Sequence, residues 1–435
     1  MLSDFIKQFF GNATLQILSF VFYLYPIWLP IVLSIIFWDM WVHYVRNAFF
    51  ASIKYTLLEI KMPTVIDKPP HAMEVIIDSF WQIGGETTFY DRYWLGKTRP
   101  YYSLELVSIE GEVHFFIWTR ESEKDIIESR IYSQYPGVEV YEVPDYTTGV
   151  EFDEKTKKMC ACIFKLVNPN PALPIKTYVD FGLDQSPKEE FKVDPITPIL
   201  EFLGSLGPGE QAWYQIGIYT HKAGADRPKA HKWFDWGFDL EKSAIGFYID
   251  TKGASFFKKG DWQDFAAKEI KKIRDSLYDK DDPKHERFPR IMTKGEGEKI
   301  AAMERTTSKP AFNVGIRAIY IADKDKYIGS RKNSLYGAFR HFNSMYNGLK
   351  PGNFTGYDNP WQDFLGIGEN VQKKLYVESY KKRAFFFSPY ILKEQFVMNA
   401  EELATLFHFP GAVATTPTFT RIPSKKSEAP SNLPV

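Results

Sequence analysis

The most extended hydrophobic run comes early in the chain. Between Gly11 and Trp38 there is no charged side chain, and Leu15 to Trp38 is almost continuously apolar. A helix of about 20 such residues crosses the ~30 Å hydrocarbon layer of a bilayer. The pattern therefore predicts a short N-terminal segment (1–14), a transmembrane helix (15–38), and an interfacial helix with linker (39–70). Pro26 and Pro30 fall inside this run, and a membrane helix tolerates proline when neighbouring groups take up the freed carbonyls. A secretory signal would have a basic start, an apolar stretch of only ~7–15 residues and a small-residue cleavage site. Here one lysine, Lys7, precedes a much longer run ending in Phe37-Trp38-Asp39, so an uncleaved anchor is expected. Trp38, Trp41, Tyr44 and Arg46 are the expected membrane-interface residues, because amphipathic rings favour the headgroup layer. Lys and Arg are more frequent after the run than before it. This predicts a single-pass protein of the cell (inner or cytoplasmic) membrane with its soluble part in the cytoplasm.

Beyond the linker the period changes. His71 to Ile83 carries apolar residues at helical spacing. Tyr102–Ile109 and Val113–Trp118 alternate as two strands joined across Glu110-Gly111. Ser122 to Asp125 reads as a capping box opening a helix with Ile127 and Ile131 on one face, stopped by Pro136-Gly137. Val138–Val143 follows as a strand. Helix, two strands, helix and strand approximate a ferredoxin-like split βαβ unit. A second set follows: a strand over Met159–Leu166, a helix after Asp194-Pro195, a strand over Ala212–Thr220, a short strand over Ser243–Ile249 and an amphipathic helix from Asp261 to Tyr278. Further on, a helix near Glu296–Arg305, a strand over Phe312–Ile321 and a helix over Ser330–Tyr346 are predicted. The fold class expected is α+β, with the transmembrane helix followed by two ferredoxin-like modules, at 71–150 and 151–410. The Thr-, Pro-, Ser- and Lys-rich segment 411–435 reads as a disordered tail.

Composition narrows the function. Apolar residues make up 44% of the 435 positions and aromatics 17%, enough for packed cores. Lys+Arg and Asp+Glu are 54 each, so there is no global basic field for steering onto nucleic acid. The basic residues Lys268, Lys271, Lys272 and Arg274 fit a solvated helix face. Cys160 and Cys162 lie two apart in a strand, on one face, which suits a reduced compartment.

No stretch matches the phosphate-binding pattern GxxxxGK[ST]. Lys294-Gly-Glu-Gly-Glu-Lys299 has acids where phosphate would sit, and reads as a solvated helix start. His221, Asp226, His231 and Asp235 offer suitable metal ligands without a standard spacing, and read as polar loop residues. There is no GxSxG elbow. No catalytic residue, metal or cofactor is expected.

Several segments carry a resemblance: Tyr102–Trp118, Ile131–Pro136, Pro174–Asp180, Gly315–Ala322 and Glu401–Pro410. Together they resemble the N-terminal region of membrane-bound ATPases similar to the coupling and conjugation ATPases of type IV secretion systems, in the wider FtsK/HerA-like group. In such proteins this region precedes a motor domain with the Walker motifs. Here the sequence ends at Val435, where the motor would begin. The resemblance thus implies the anchor half of a split system, with Phe407, His408, Phe409 and Pro410 as candidate motor-docking residues.

The function expected is a membrane-anchored, non-catalytic adaptor that docks a separate P-loop ATPase in a type IV secretion or conjugation-like system. Its expected partners are membrane lipid, that ATPase and further copies of the chain, with nucleic acid not a direct ligand. The alternatives are a membrane-bound enzyme whose site is assembled from dispersed Asp, Glu and His residues, and a self-assembling membrane scaffold.

Overall fold

The computed structural model describes residues 20, 23–63, 68–86, 88–184, 194–221, 262–278, 291–352, 354–355, 367–387 and 395–411. In chain order its helices and strands are α1 (Tyr25–Ser52), β1 (Tyr55–Lys61), α2 (His71–Ser79), α3 (Phe89–Tyr93), β2 (Tyr101–Ile109), β3 (Glu112–Arg120), α4 (Lys124–Gln134), β4 (Glu139–Val143) and β5 (Lys157–Leu166). There follow α5 (Thr197–Gly204), β6 (Glu210–Thr220), α6 (Trp262–Asp275), α7 (Lys294–Thr307), β7 (Ala311–Asp323), α8 (Arg331–Gly337), β8 (Leu349–Gly352), α9 (Ile367–Lys381), β9 (Phe396–Asn399) and α10 (Ala400–Leu406). The chain divides into two compact units, Met1–Ile53 with Gly84–Thr98, and Lys54–Ile83 with Arg99–Val435.

The first unit holds α1. Its 28 residues span about 42 Å at 1.5 Å per residue. Pro26 sits in the first turn, where its missing N–H has no intrahelical partner to lose, while Pro30 lies inside the helix. α1 is long and apolar enough to cross a membrane, and its apolar side chains, Ile31 at 55% among them, are exposed. It runs on without a break past Trp38 into the stretch expected to be interfacial. Residues 1–19 of the expected N-terminal segment and span lie outside the described residues.

The second unit is a mixed α+β body. Its described residues form a nine-stranded antiparallel sheet in the order β4-β1-β3-β2-β6-β7-β5-β8, with β9 pairing the start of β7. Both expected modules contribute strands to this one sheet, which is continuous where β2 pairs β6 (Glu105 opposite Gln215). Strand alternation decides the faces. Leu104, Leu106, Phe115, Ile117, Ala212, Tyr214, Ile216, Val314, Ile316, Cys162 and Phe164 point to one side, where Met73, Ile76, Ile77, Ile127, Ile131, Leu200, Leu203, Leu335, Leu403 and Leu406 of the helices complete the main core. Each such Leu or Ile contributes about 1.5–3 kcal/mol by leaving water. A smaller cluster joins α6 and α7 through Ala266, Ile300 and Met303.

The hairpin at Glu110-Gly111 is present, and both residues take positive φ (53° and 94°). Several expectations need correction. α4 begins at Lys124 behind a 3-10 turn, and Glu123 makes no side-chain cap, so Ser122 does not form the predicted box. Capping boxes open α7 (Thr293 with Glu296) and α10 (Asn399 with Glu402). The helix expected over Ser330–Tyr346 stops at Gly337, with a separate 3-10 turn at Arg340–Phe342. Residues Tyr55–Lys61, within the 39–70 stretch expected to be interfacial helix and linker, form β1 between β3 and β4. The strand expected at Ser243–Ile249 and the 412–435 part of the tail lie outside the described residues.

Candidate functional site

The expected interface residues Trp38, Trp41, Tyr44 and Arg46 all lie on α1. Trp38, Trp41, Val42 and Val45 follow i, i+3, i+4, i+7, so they form one stripe. That stripe is covered by the segment around α3. Trp38 meets Phe89, Tyr93 and Trp94 at ring-centroid distances of 6.2, 5.6 and 6.0 Å, and Trp41 meets Trp94 edge-on at 5.5 Å. The Trp41 Nε1–H donates to the Tyr93 carbonyl at 3.0 Å. Gly96 (φ +62°) closes the segment against the Val45 carbonyl, where a β-carbon would overlap the backbone. Tyr44 points away and is 67% exposed, and Arg46 is half-buried. The sequence reading missed this partner of α1, although the density of aromatics in Phe89-Tyr90 and Tyr93-Trp94 is its signal.

In the second unit the sheet face opposite the main core carries charge. Alternation and register place Glu105, Gln215 and Arg317 side by side on β2, β6 and β7. Gln215 Nε2–H donates to Glu105 Oε1 at 2.7 Å, and Arg317 Nε–H donates to Gln215 Oε1 at 2.7 Å. Ser103 and Tyr146 hydroxyls also donate to Glu105, at 2.8 and 2.9 Å. Above this ladder sits the end of α9. Arg383 donates through Nε and Nη2 to the two Glu105 oxygens at 3.0 and 3.2 Å, and also pairs with Asp145. Arg317 reaches the Ser379 hydroxyl at 2.6 Å and the Ala384 carbonyl at 3.2 Å, with its guanidinium 3.9 Å from the Phe385 ring centroid. Two cations thus stand among two anions. Burial pushes the Asp145 carboxyl up, but Arg383 outweighs it and holds it below the usual range. Burial pulls the Arg317 guanidinium down to about 9, against the pull of Tyr380 and Glu105, which leaves it charged at neutral pH.

α9 ends in a left-handed turn at Arg383 (φ 48°). The Arg383 N–H donates to Tyr380 O at 2.9 Å and the Ala384 N–H to Ser379 O at 3.1 Å, the Schellman pattern that glycine usually closes. A non-glycine residue there is strained by about 1 kcal/mol, and the buried ion pairs of its side chain offset that strain. Phe385 then lies on the cross-strand pair Gly217 and Gly315. Glycine mid-strand is the sequence signal of such close approach.

A second ionic group gathers around Lys309, which pairs with Glu74 and, at 2.8 Å, with Glu401. Arg305 lies 3.4 Å from Glu401 and 3.6 Å from Asp180. Burial would lower the Lys309 pKa, but hydrogen bonds to the two carboxylates raise it. The neighbouring Glu402 is enclosed, and burial pushes its carboxyl up to about 7. Its oxygens accept the backbone N–H groups of Ile175 and Asn399, both at 3.0 Å. These acids are bound to cations or to backbone N–H groups.

The candidate docking residues Phe407, His408, Phe409 and Pro410 are all buried. Phe407 and Phe409 pack on Phe115 at 5.7 and 5.9 Å, and Phe409 on Tyr135 at 4.8 Å. His408 lies 2.9 Å from Asp194 and 3.0 Å from the Ala404 carbonyl. Burial raises the Asp194 pKa, but His408 and backbone N–H groups bring it below the usual range. These four side chains pack into the chain's own interior.

Cys160 and Cys162 face the main core from β5, and burial pushes the Cys160 thiol up to about 11, far from a reactive thiolate. His221 contacts Asn313 at 2.9 Å, while Asp226, His231 and Asp235 lie outside the described residues. Lys294–Lys299 forms the start of α7, and Lys272 and Lys299 both pair with Glu269. Among the described residues no three His, Cys, Asp or Glu side chains gather as a metal site. Compared with protein-family models and with curated proteins, the sequence matches none.

Proposed function

We propose that the chain is a membrane-anchored, non-catalytic adaptor that docks a separate P-loop motor ATPase at the bilayer, in a transfer system of the type IV secretion or conjugation kind. Its soluble part lies on the cytoplasmic side, and lipid, the motor and further copies of the chain are its partners. The observation that carries this reading is a contrast. α1 exposes apolar side chains suited to lipid, whereas the buried acids of the second unit are engaged by arginine, lysine or backbone N–H.

We read the sheet as two ferredoxin-like modules. The elements β1-α2-β2-β3-α4-β4 follow the path 4-1-3-2 across the sheet, and β5-α5-β6-β7-α8-β8 follow the same path in reverse direction. Edge-to-edge pairing of β2 with β6 removes two exposed strand edges, which would otherwise recruit other chains. A sheet whose central edges are paired in this way leaves its outer surfaces for a partner.

The test is purification of the full chain from its own membranes in mild detergent. The reading expects an ATPase of the P-loop class to co-elute, and expects the chain alone to hydrolyse no ATP. ATP turnover by the isolated chain, or elution with no ATPase, would overturn it.

A further inference from the structure

We infer that the segment Gly84–Thr98 is a second lipid-contacting element, a strap lying in the headgroup layer beside the membrane exit of α1. This rests on the reading of α1 as a membrane helix and adds to it.

The strap belongs to the same compact unit as α1. Its inner surface covers the Trp38, Trp41 and Val45 stripe through ring contacts, the Trp41 to Tyr93 hydrogen bond and the close approach of Gly96. Its outer surface is apolar and uncovered: Phe89 is 65% exposed, Tyr90 56% and Trp94 48%. A soluble surface rarely gathers so many large rings, and Tyr and Trp favour a boundary where one end is apolar and the other wet.

The bilayer is the occupant indicated, because the patch is continuous with exposed apolar residues of α1. Phe37, Met40 and Tyr44 are exposed at the same level of the helix as Trp38 and Trp41, on the side that the strap leaves open. The strap's charges are also arranged for an interface. Asp91 pairs with Lys97 at 3.0 Å and Glu86 lies 3.7 Å from Arg92, so each carboxylate has a cation beside it. The Thr88 hydroxyl accepts the Asp91 N–H and so caps the short helix α3. A neutralised, capped turn carrying outward aromatics can rest among headgroups without stranding charge or backbone N–H in hydrocarbon.

The experiment uses the full chain in phosphatidylcholine and phosphatidylglycerol vesicles with an environment-sensitive fluorophore on a single introduced cysteine. Cys160 and Cys162 are buried and stay in place, with the unsubstituted chain as background. Labels go at Tyr90→Cys and, independently, Leu95→Cys in the strap, at Ile31→Cys in α1, and at Met345→Cys in the second unit. Nitroxide lipids quench from either the headgroup end or the far end of the acyl chain. The inference expects both strap labels to be quenched at least about twofold more by the shallow nitroxide than by the deep one, with the Ile31 label showing the opposite preference and the Met345 label unquenched. An Ile31 label that is quenched while both strap labels behave like Met345 overturns the strap and leaves the anchor standing. Quenching at neither place overturns both.

Discussion

Arg383 and Glu105 stand 278 positions apart in the sequence, yet the Arg383 Nε–H donates to Glu105 Oε1 at 3.0 Å with both side chains no more than 1% exposed. The pair ties the end of α9 to the middle of the sheet. Removing one partner leaves a buried charge with too few counter-charges, so Arg383→Met and Glu105→Met should each cost about 3–5 kcal/mol. The double variant should cost less than the sum of the two by more than about 1 kcal/mol. Chemical denaturation followed by tryptophan fluorescence measures this cycle. Additivity within about 0.5 kcal/mol would show that the pair is not coupled.

Phe385 and the glycines beneath it form a size match. A β-carbon at Gly217 or Gly315 would overlap the ring, so Gly217→Ala should destabilise by about 1–3 kcal/mol. In a Phe385→Ala background the same substitution should become close to neutral, because the obstructing ring is gone. Thermal unfolding of the native chain, the two single variants and the double variant checks this. An unchanged penalty in the Phe385→Ala background would place the strain elsewhere.

Glu402 sets a pH dependence. Burial raises its carboxyl from the ordinary 4.5 to about 7 in the folded chain. Between these values the folded state keeps a proton that the unfolded state has released, so stability falls as pH rises through the window and levels off above it. That rise corresponds to a loss on the order of 3 kcal/mol. Glu402→Gln should flatten the profile over that range. Asp145 and Asp194, both lowered, act with the opposite sign: their contribution is present above the ordinary carboxylate range and is lost as pH falls through their folded values. Parallel profiles for the native chain and Glu402→Gln, from denaturation midpoints between pH 4 and 8, would contradict the assignment.

What the sequence made legible follows from how local each signal is. The β2–β3 hairpin rests on two alternating runs and Glu110-Gly111, and it forms with the register that the turn dictates. The shared face of Cys160 and Cys162 likewise follows from strand period alone. β1 was hidden because Tyr55–Lys61 follows α1 after two residues with no glycine or proline between them. β8 and β9, four residues each, are too short to show a period. The ionic ladder was out of reach for another reason. Glu105, Arg317 and Arg383 come from distant parts of the chain, and nothing around Glu105 in sequence marks a strand acid as buried. The burial of Phe407 and Phe409 depends in the same way on Phe115 and Tyr135, which only the fold brings near.

The adaptor role and the strap both require α1 to be embedded in lipid. Membranes from cells producing the full chain, washed with alkaline carbonate and sedimented, test this directly. The chain should stay in the pellet and enter the supernatant only with detergent, and replacing Ile31, Leu33 and Ile35 with aspartate should release it into the carbonate wash. Recovery of the native chain in that wash without detergent would contradict a lipid-embedded α1.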